Sequence, residues 1–385
     1  MNFLNTTDLR PGQIFSSPVY IEEENMLVPA MTPLRQKDID FLISWGIDLV
    51  KIEGNLVEPE KEKPKQEESF VPSSKNETAK FSISDVRQNS GPYREYKNLI
   101  EKLDKLFTSL KSGEGVEMRA LDTICDQLLQ DLRDYPDNFV DFILGGEISK
   151  QELAKSSVNT AILSALTAHE LKLVNHKIHK IVAGALIHDV GMLRLSKGIT
   201  EKKGGLSQAE LEQIKSHPHH TSKIVTKELL GPHEVNLIAL QHHERWDGQG
   251  YPDKLVGHGI DIGARIVSVA DAFEAMVSKK SYRNSMNGYQ AIKNLLADNA
   301  RRFDPAVIIA FTKVMGIYPI GSIVRLNNGS IARVVKIHTD APMRPVVQLL
   351  TDENSKTLDS KNVRTIDLLA EKTIFIKEAI DPSET

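Results

Sequence analysis

Four short phrases between residues 185 and 272 constrain this chain more than any other feature of its sequence. They read ALIHDVG, SHPHH, QHHERWDGQGYP and VSVADA, and each contains His, Asp or both. The first phrase ends a stripe of apolar residues with helical spacing: Ile178, Ile181, Val182, Ala185 and Leu186. Ligand sites in helical bundles are built from side chains that point inward from facing helices. The spacing therefore predicts a bundle in which these polar side chains meet at one point.

The His and Asp residues of the four phrases form a candidate set of metal ligands. Iron, manganese and zinc take neutral imidazole and carboxylate ligands, and two neighbouring ions need a bridging carboxylate. The candidates are His188, Asp189, His217, His242, His243 and Asp271. A single histidine of this kind is more often a core or surface residue than a ligand. The whole set, on consecutive apolar helices, favours a metal centre, since a buried Asp needs a partner or an ion.

The same phrases resemble those of the HD-GYP domain, a branch of the HD metal-dependent phosphohydrolases. The two naming motifs stand as His188-Asp189 and Gly250-Tyr251-Pro252. LIHDVG, VADAFEAM and the FDP of residues 303–305 extend the similarity, which spans roughly residues 150–370. The family hydrolyses the bacterial second messenger cyclic di-GMP with two or three metal ions in a helical bundle. The resemblance therefore implies a hydrolase of bacterial second-messenger signalling.

The resemblance also implies a role for individual residues. Asp189 would be the catalytic residue, bridging two divalent ions, iron or manganese, and Glu152 would join the six ligands above. The implied substrate-binding residues are Tyr251, Gly250, Pro252, Arg283 and Lys197. Ordinary alternatives remain open for three of these positions: a charged helix residue for Glu152, a surface salt bridge for Arg283 and a solvated loop around Lys197.

Two positions depart from the family pattern. Ser156 stands where the family has His, one helical turn after Glu152, and serine is a poor ligand for these ions, so we do not expect a third metal. Met192 stands where the family has the Lys of HD-x-G-K, whose charge would lie beside the bound phosphate. The basic loop with Lys197 and Lys202 is a candidate to supply that charge instead.

Three hypotheses for function follow. The first is a phosphodiesterase that converts cyclic di-GMP to linear pGpG and then GMP, favoured by the complete ligand set and the complete GYP phrase. The second is a catalytically weakened domain that acts as a cyclic di-GMP receptor or a protein-interaction scaffold, favoured by Ser156 and Met192. The third is a metal-dependent hydrolase of another phosphoester or nucleotide.

The remainder of the chain predicts smaller units on either side of the bundle. The fold class is mainly α: an HD-type helical bundle with a small N-terminal α+β domain and a small C-terminal β appendage. The predicted divisions are an N-terminal domain at 1–54, a flexible linker at 55–91, a helical lead-in at 92–149, the catalytic domain at 150–318, a β subdomain at 319–378 and a tail at 379–385. Val19 to Ile21 and Met26 to Val28 predict a hairpin, and Asn328-Gly329 predicts a hairpin turn.

Charge and composition exclude several classes of protein. A net charge of -4 argues against general nucleic-acid affinity, so DNA is not an expected partner. One cysteine, Cys125, excludes an internal disulfide framework. Neither a signal region nor an apolar run of membrane-spanning length is present, which predicts a cytoplasmic protein. The expected partner is cyclic di-GMP, with cyclase-type signalling proteins and a homodimer as further candidates.

Overall fold

The computed structural model describes most of the helical part of the chain and parts of the N-terminal unit. The described residues are 2–17, 19–21, 25–28, 30–34, 36, 39, 42, 49–52, 54–57, 91–135, 139–144, 151–200, 202, 204–278, 286–299, 301–353, 356–358 and 364–380. The chain divides into two compact units, Met1–Phe81 and Ser82–Glu384. Most of the predicted linker lies outside the described residues, so the predicted domain boundaries stay predictions.

The N-terminal unit is built on short antiparallel strands. They are β1 (Asn2–Asn5), β2 (Ile14–Phe15), β3 (Val19–Ile21), β4 (Asn25–Val28), β5 (Leu49–Ile52) and β6 (Leu56–Val57). One sheet has the order β1-β5-β3-β4, and β2 pairs with β6. The pairing of β3 with β4 confirms the predicted hairpin. A small apolar core that includes Leu9, Phe15, Val50 and Leu42 stabilises this unit by burial.

The second unit begins with a large set of helices, which confirms the mainly α prediction. They are α1 (Gly91–Ser112), α2 (Met118–Asp134), α3 (Phe139–Leu144), α4 (Glu152–Glu170), α5 (Asn175–Ile187), α6 (Lys197–Thr200), α7 (Gln208–Lys215), α8 (His217–Lys223), α9 (His233–Gln241), α10 (Ile262–Val277), α11 (Gly288–Ala297) and α12 (Pro305–Met315). A 3₁₀ turn at Val190–Arg194 follows α5, and a π turn at Ile224–Glu228 follows α8. Within the described residues, no helix is both long and apolar enough to span a membrane.

Close packing around Ile238 fixes three of these helices relative to one another. A Cβ at Gly184 of α5 would lie 2.5 Å from Ile238 Cγ2, and one at Gly263 of α10 would lie 2.6 Å from Ile238 Cδ1. Only glycine permits this approach of α5 and α10 to α9. Gly184 and Ile238 each lie four residues, about one helical turn, before His188 and His242. The packing therefore sets the positions of the two helix ends that carry these histidines.

A five-stranded antiparallel sheet follows the helices. Its strands are β7 (Ile323–Leu326), β8 (Ile331–Lys336), β9 (Val346–Leu349), β10 (Thr365–Asp367) and β11 (Ile376–Ile380), in the order β10-β9-β8-β7-β11. Buried and half-buried residues alternate along β7, β8 and β9, as expected for a sheet with one face on a core. The predicted turn at Asn328-Gly329 is confirmed, and Gly329 has a φ of +89° that favours glycine.

Candidate metal centre

Four separate segments of the helical unit supply the centre. The structure brings together six residues that the sequence predicts as ligands: His188, Asp189, His217, His242, His243 and Asp271. The first two follow α5, the third begins α8, the next two follow α9, and the last lies within α10. The ends of packed helices therefore meet at one point, as the sequence pattern predicts.

Asp189 lies at the middle of the centre. Its Oδ1 is 3.0 Å from Nε2 of His217 and 3.6 Å from Nε2 of His242, whereas its Oδ2 is 3.6 Å from Nε2 of His188. The ligand atoms of Asp189, His217, His242 and His243 all lie within 4.8 Å of one another. The two carboxylate oxygens thus face different imidazoles, which is the arrangement that a bridging carboxylate requires.

His188 and Asp271 form the second side of the centre. Nε2 of His188 is 3.6 Å from Oδ1 of Asp271 and is fully buried. It has no hydrogen-bond partner among the described residues. A buried polar atom without a partner is costly unless an unseen group satisfies it. A divalent ion between His188 and the two carboxylates would satisfy it, so this side fits a metal.

Three of the imidazoles are oriented by a main-chain carbonyl oxygen three residues earlier in the chain. Nδ1 of His188 lies 2.7 Å from the carbonyl oxygen of Ala185, Nδ1 of His217 lies 2.7 Å from that of Ile214, and Nδ1 of His242 lies 2.8 Å from that of Ala239. A carbonyl oxygen can only accept, so each Nδ1 carries the proton and donates it. The lone pair of each Nε2 is then free to bind a metal. The tautomer is the one that a ligand histidine needs.

The short distance between two imidazole nitrogens also indicates a metal site. Nε2 of His217 and Nε2 of His242 lie 3.3 Å apart. With both Nδ1 atoms protonated, two lone pairs would face each other at this distance, which is unfavourable without a shared cation. The ring centroids of His242 and His243 lie only 4.0 Å apart, so a third imidazole adjoins the same point. The donor set is that of a divalent transition metal.

The electrostatics of the centre favour the metal-binding protonation states of Asp189 and His243, whereas His188 is favoured as a cation. Burial opposes ionisation of Asp189, but the charge of His188 and the neighbouring imidazoles outweigh it and hold the pKa of Asp189 well below its ordinary value. Burial lowers the pKa of His243 well below its ordinary value, so this imidazole is neutral. For His188, burial is outweighed by Asp189 and Asp271, which raise its pKa to about 9. An ion at this side would displace the His188 proton.

The loop after α9 is held against the centre by its own polar groups. Glu244 is buried, and its carboxylate accepts hydrogen bonds from the N–H of Asp253 at 2.6 Å and of Leu255 at 3.1 Å. A Cβ at Gly250 would lie 2.5 Å from Glu244 Cα and 2.6 Å from the carbonyl oxygen of His243. Pro252, the last residue of the GYP phrase, follows Tyr251 through a cis peptide bond. The glycine is therefore required by close contact between two main-chain segments.

Tyr251 is the substrate-facing candidate of this loop. Its ring stacks on His243 with centroids 4.8 Å apart, and Nζ of Lys215 lies 6.0 Å from the Tyr251 centroid. Burial, with the charges of Asp189 and Asp271, raises the pKa of the Tyr251 hydroxyl. Tyr251 therefore keeps its proton at neutral pH and can donate a hydrogen bond to an anionic ligand.

The remaining predicted site residues either lie apart from this cluster or lie outside the described residues. Glu152 is exposed at the first position of α4 and is not among the four residues of the close ligand group. Lys197 is exposed at the start of α6, and Lys202 is paired with Glu210 at 2.7 Å. Arg283 lies outside the described residues. The predicted roles of Glu152, Lys197 and Arg283 stay predictions.

The structure gives Ser156 a partner within the protein. Its Oγ donates a hydrogen bond of 2.6 Å to Oε2 of Glu274, which is 1% exposed. Oε1 of Glu274 accepts from Asn159 Nδ2 at 3.1 Å and from Ser278 Oγ at 2.5 Å. A hydroxyl in this position supplies a hydrogen bond where the family pattern has an imidazole, and the absence of a third ion stays a prediction.

Sequence reasoning missed two residues beside the centre, Thr221 and Glu274. Thr221 hydrogen-bonds to the turn that carries Asp189. Glu274, on α10, accepts the hydrogen bonds of a buried network that includes Ser156. A signal was present in both cases. Thr221 follows His217 by four residues and Glu274 follows Asp271 by three, so each shares a helix face with a predicted ligand.

Comparison with known families identifies two domains in the second unit. The HD domain family matches residues 147–307, and the KOW domain associated with the HD domain matches residues 323–385. The first covers the helices that carry the metal centre, and the second covers the five-stranded sheet.

The chain is similar to curated relatives and to a solved structure. The chain is 26% identical to the cyclic di-GMP phosphodiesterase PdeB of Borreliella burgdorferi, over 96% of this chain and 94% of that protein. It is 28% identical to the cyclic di-GMP phosphodiesterase PA4108 of Pseudomonas aeruginosa, over 65% of this chain and 60% of that protein. The structure of Bd1817, an HDG"Y"P protein from Bdellovibrio bacteriovorus, aligns with a TM-score of 0.49 at 15% identity, over 81% of this chain and 98% of that one.

The matched HD domain contains both motifs on which the resemblance depends. His188-Asp189 and Gly250-Tyr251-Pro252 lie within residues 147–307. The resemblance seen in the sequence is confirmed at the level of the domain: the chain contains an HD domain that carries both of these motifs.

Proposed function

We propose that this chain is a metal-dependent phosphodiesterase that hydrolyses cyclic di-GMP to linear pGpG, and pGpG further to GMP. The observation that supports this most strongly is the position of Asp189, whose two carboxylate oxygens face different imidazoles with inward Nε2 atoms. The names of PdeB and PA4108 point to the same reaction. PdeB in particular is matched over nearly the whole of both chains.

Two divalent ions, iron or manganese, fit the donor set. Asp271 and His188 would hold one ion, the imidazoles of His217, His242 and His243 the other, and Asp189 would be shared. When bound, such ions lower the pKa of water and neutralise charge on a phosphate group. Nitrogen and carboxylate ligands suit these metals, but the choice between them depends on availability as much as on geometry.

The protein's own contribution is orientation. The carbonyl oxygens of Ala185, Ile214 and Ala239 hold three imidazoles at fixed angles, so little reorganisation is needed when substrate binds. The Tyr251 hydroxyl keeps its proton and is placed to donate to the substrate beside His243. Phosphodiester hydrolysis depends mainly on such positioning and on charge stabilisation.

A receptor or scaffold is the second candidate. Met192 is half-buried in the 3₁₀ turn after Asp189 and brings no charge to the phosphate. Ser156 is engaged with Glu274 and brings no ligand to an ion. Both features would reduce catalysis while leaving the loop around Tyr251 complete. Cyclase-type partners, a homodimer and a cytoplasmic location also stay predictions.

Hydrolysis by the purified full-length chain tests the proposal. The protein is loaded with iron or manganese without oxygen, its metal content is measured, and the conversion of cyclic di-GMP to pGpG is followed by chromatography. We expect turnover that is lost in Asp189→Ala and retained in Asp134→Ala, an exposed carboxylate of α2. Folded, metal-loaded protein that binds cyclic di-GMP without converting it would contradict the phosphodiesterase and favour the receptor.

A further inference from the structure

A cyclic dinucleotide places a second demand on this site. It carries two phosphodiester groups, and only the one under attack can occupy the metal centre. The other phosphate must lie outside the ions, where it needs a cationic side chain to offset its charge. The chain has a net charge of -4, so its overall charge does not attract an anion and an individual basic side chain must do so. Resting on the proposed function, we propose that Lys215 binds this second phosphate at the edge of the Tyr251 ring.

Lys215 lies at the entrance to the centre on one side of Tyr251. It is the last residue of α7, two residues before His217, and is exposed. Its Nζ lies 6.0 Å from the Tyr251 ring centroid, while the same ring stacks on His243 at 4.8 Å. The Tyr251 ring therefore contacts a metal-ligand imidazole and the lysine at once, so the ammonium lies close to the ligand set without belonging to it.

The ion pair that Lys215 makes leaves its charge available. Its Nζ lies 3.2 Å from Oε1 of Glu212 on the same helix, with both side chains about half exposed at 45% and 59%. Exposed pairs at this spacing are weak because water screens them and both side chains keep much of their freedom. A negatively charged, non-bridging phosphate oxygen can replace the Glu212 carboxylate at little cost.

Other basic side chains around the centre are committed to stronger pairs. Arg194, in the turn after Asp189, lies 2.8 Å from Glu228 through both carboxylate oxygens. Arg245 makes a forked pair with Asp247 at 2.7 and 3.1 Å. Arg265 lies 2.6 Å from the buried Asp304, and Lys202 lies 2.7 Å from Glu210.

A comparison of two substrates distinguishes the subsite for the second phosphate from the metal centre. Cyclic di-GMP needs both subsites, whereas bis(4-nitrophenyl) phosphate has a single phosphodiester and needs only the metal centre. Lys215→Met is compared with Lys105→Met, which removes an exposed cation of α1. Each protein is loaded with manganese, and KM and kcat are measured for both substrates, with cyclic di-GMP binding measured by calorimetry.

We expect Lys215→Met to raise KM and Kd for cyclic di-GMP roughly tenfold, the size of one charge-assisted hydrogen bond to phosphate. Its kinetics with bis(4-nitrophenyl) phosphate should stay at the wild-type level, and Lys105→Met should match the wild type with both substrates. A wild type that hydrolyses cyclic di-GMP, with unchanged KM and Kd in Lys215→Met, overturns this inference alone. An equal loss on both substrates also overturns it, because it would reveal damage to the metal centre. A wild type that neither binds nor hydrolyses cyclic di-GMP overturns the proposed function and this inference together.

Discussion

The hydroxyl of Thr221 donates a hydrogen bond of 3.0 Å to the main-chain carbonyl oxygen of His188. The same hydroxyl oxygen accepts a hydrogen bond of 2.9 Å from the N–H of Gly191. Thr221 is fully buried and lies one helical turn after His217. A single side chain therefore joins the turn that carries Asp189 to the helix that begins with another ligand.

Thr221→Val removes both hydrogen bonds while it keeps the shape of the side chain. Two buried main-chain groups lose a partner, so we expect the free energy of unfolding to fall by about 1–3 kcal/mol. The displaced Asp189 should lower kcat more than it raises KM, because orientation matters most in the transition state. Urea unfolding and steady-state kinetics check both effects. Thr221→Ser should restore wild-type values, and a valine variant with wild-type kcat would contradict the positioning role.

Ser156→Ala tests whether this position serves the protein rather than an ion. Its hydroxyl donates to Glu274 at 2.6 Å, so its loss leaves a buried carboxylate short of a donor and should cost about 1–3 kcal/mol of stability. Metal content, measured by elemental analysis, should not change. Ser164 is a matched control on α4, since its Oγ is buried without a hydrogen-bond partner among the described residues. Ser164→Ala should leave stability nearly unchanged, and a loss of metal in Ser156→Ala would show that the position serves an ion.

Gly250→Ala tests the close contact beneath the GYP loop. The added Cβ would clash with the N–H of Arg245 and would lie 2.5 Å from Glu244 Cα. Main-chain atoms cannot move aside as a flexible side chain can, so the loop and Tyr251 should shift from His243. We expect kcat/KM to fall by roughly a hundredfold, since small displacements at a reacting centre have such effects. Gly205→Ala is the control, because a Cβ there meets nothing within 4 Å. Wild-type kinetics in Gly250→Ala would show that the loop tolerates the shift.

Asp131 gives the protein a pH dependence that is unrelated to the metal centre. Burial, followed by the charges of Glu95 and Asp134, raises its pKa from 3.8 to about 6, and its Oδ2 has no hydrogen-bond partner among the described residues. The folded state therefore holds this proton more tightly than the unfolded state does, so the free energy of unfolding falls as pH rises from 3.8 to about 6.

Asp131→Asn should accordingly stabilise the protein above that range. We expect a gain on the order of 1 kcal/mol at pH 8, with solvent screening taken into account, and a gain that disappears near pH 4. Thermal unfolding of both proteins between pH 4 and pH 8 measures the difference. Asp134→Asn, which changes an exposed carboxylate of the same helix, should show a smaller effect. A gain that is equal at both ends of the pH range would contradict the assignment to Asp131.

The fold class and the convergence of the six His and Asp residues could be predicted because local sequence patterns indicate both. Stripes of apolar residues mark the helices, and a His-Asp pair at the end of a stripe is rare enough to indicate a metal centre. Thr221 and Glu274 could not be predicted in the same way. Their partners, His188 and Ser156, are distant in sequence, and they depend on which helices pack together. The same limit applies to Lys215, whose charge is ordinary until the Tyr251 loop is placed beside it.

Spacing alone also left one prediction without support from the geometry. Glu152 precedes Ser156 by one helical turn, a separation that suits two ligands of one ion. The helix begins at Glu152, however, and its side chain is exposed there. Periodicity specifies a helix face, but it does not specify how far the bundle covers that face near a helix end.

The carbonyl oxygens that hold His188, His217 and His242 lie in each case three residues earlier in the same segment. The orientation of each imidazole is thus fixed by a main-chain contact within a stretch of four residues, and this contact involves no other side chain. Substitutions elsewhere in the bundle can change the distance between these stretches, but they cannot redirect the nitrogen atoms. Such a site is modular, and its parts can survive extensive divergence of the surrounding sequence as long as three helix ends continue to meet.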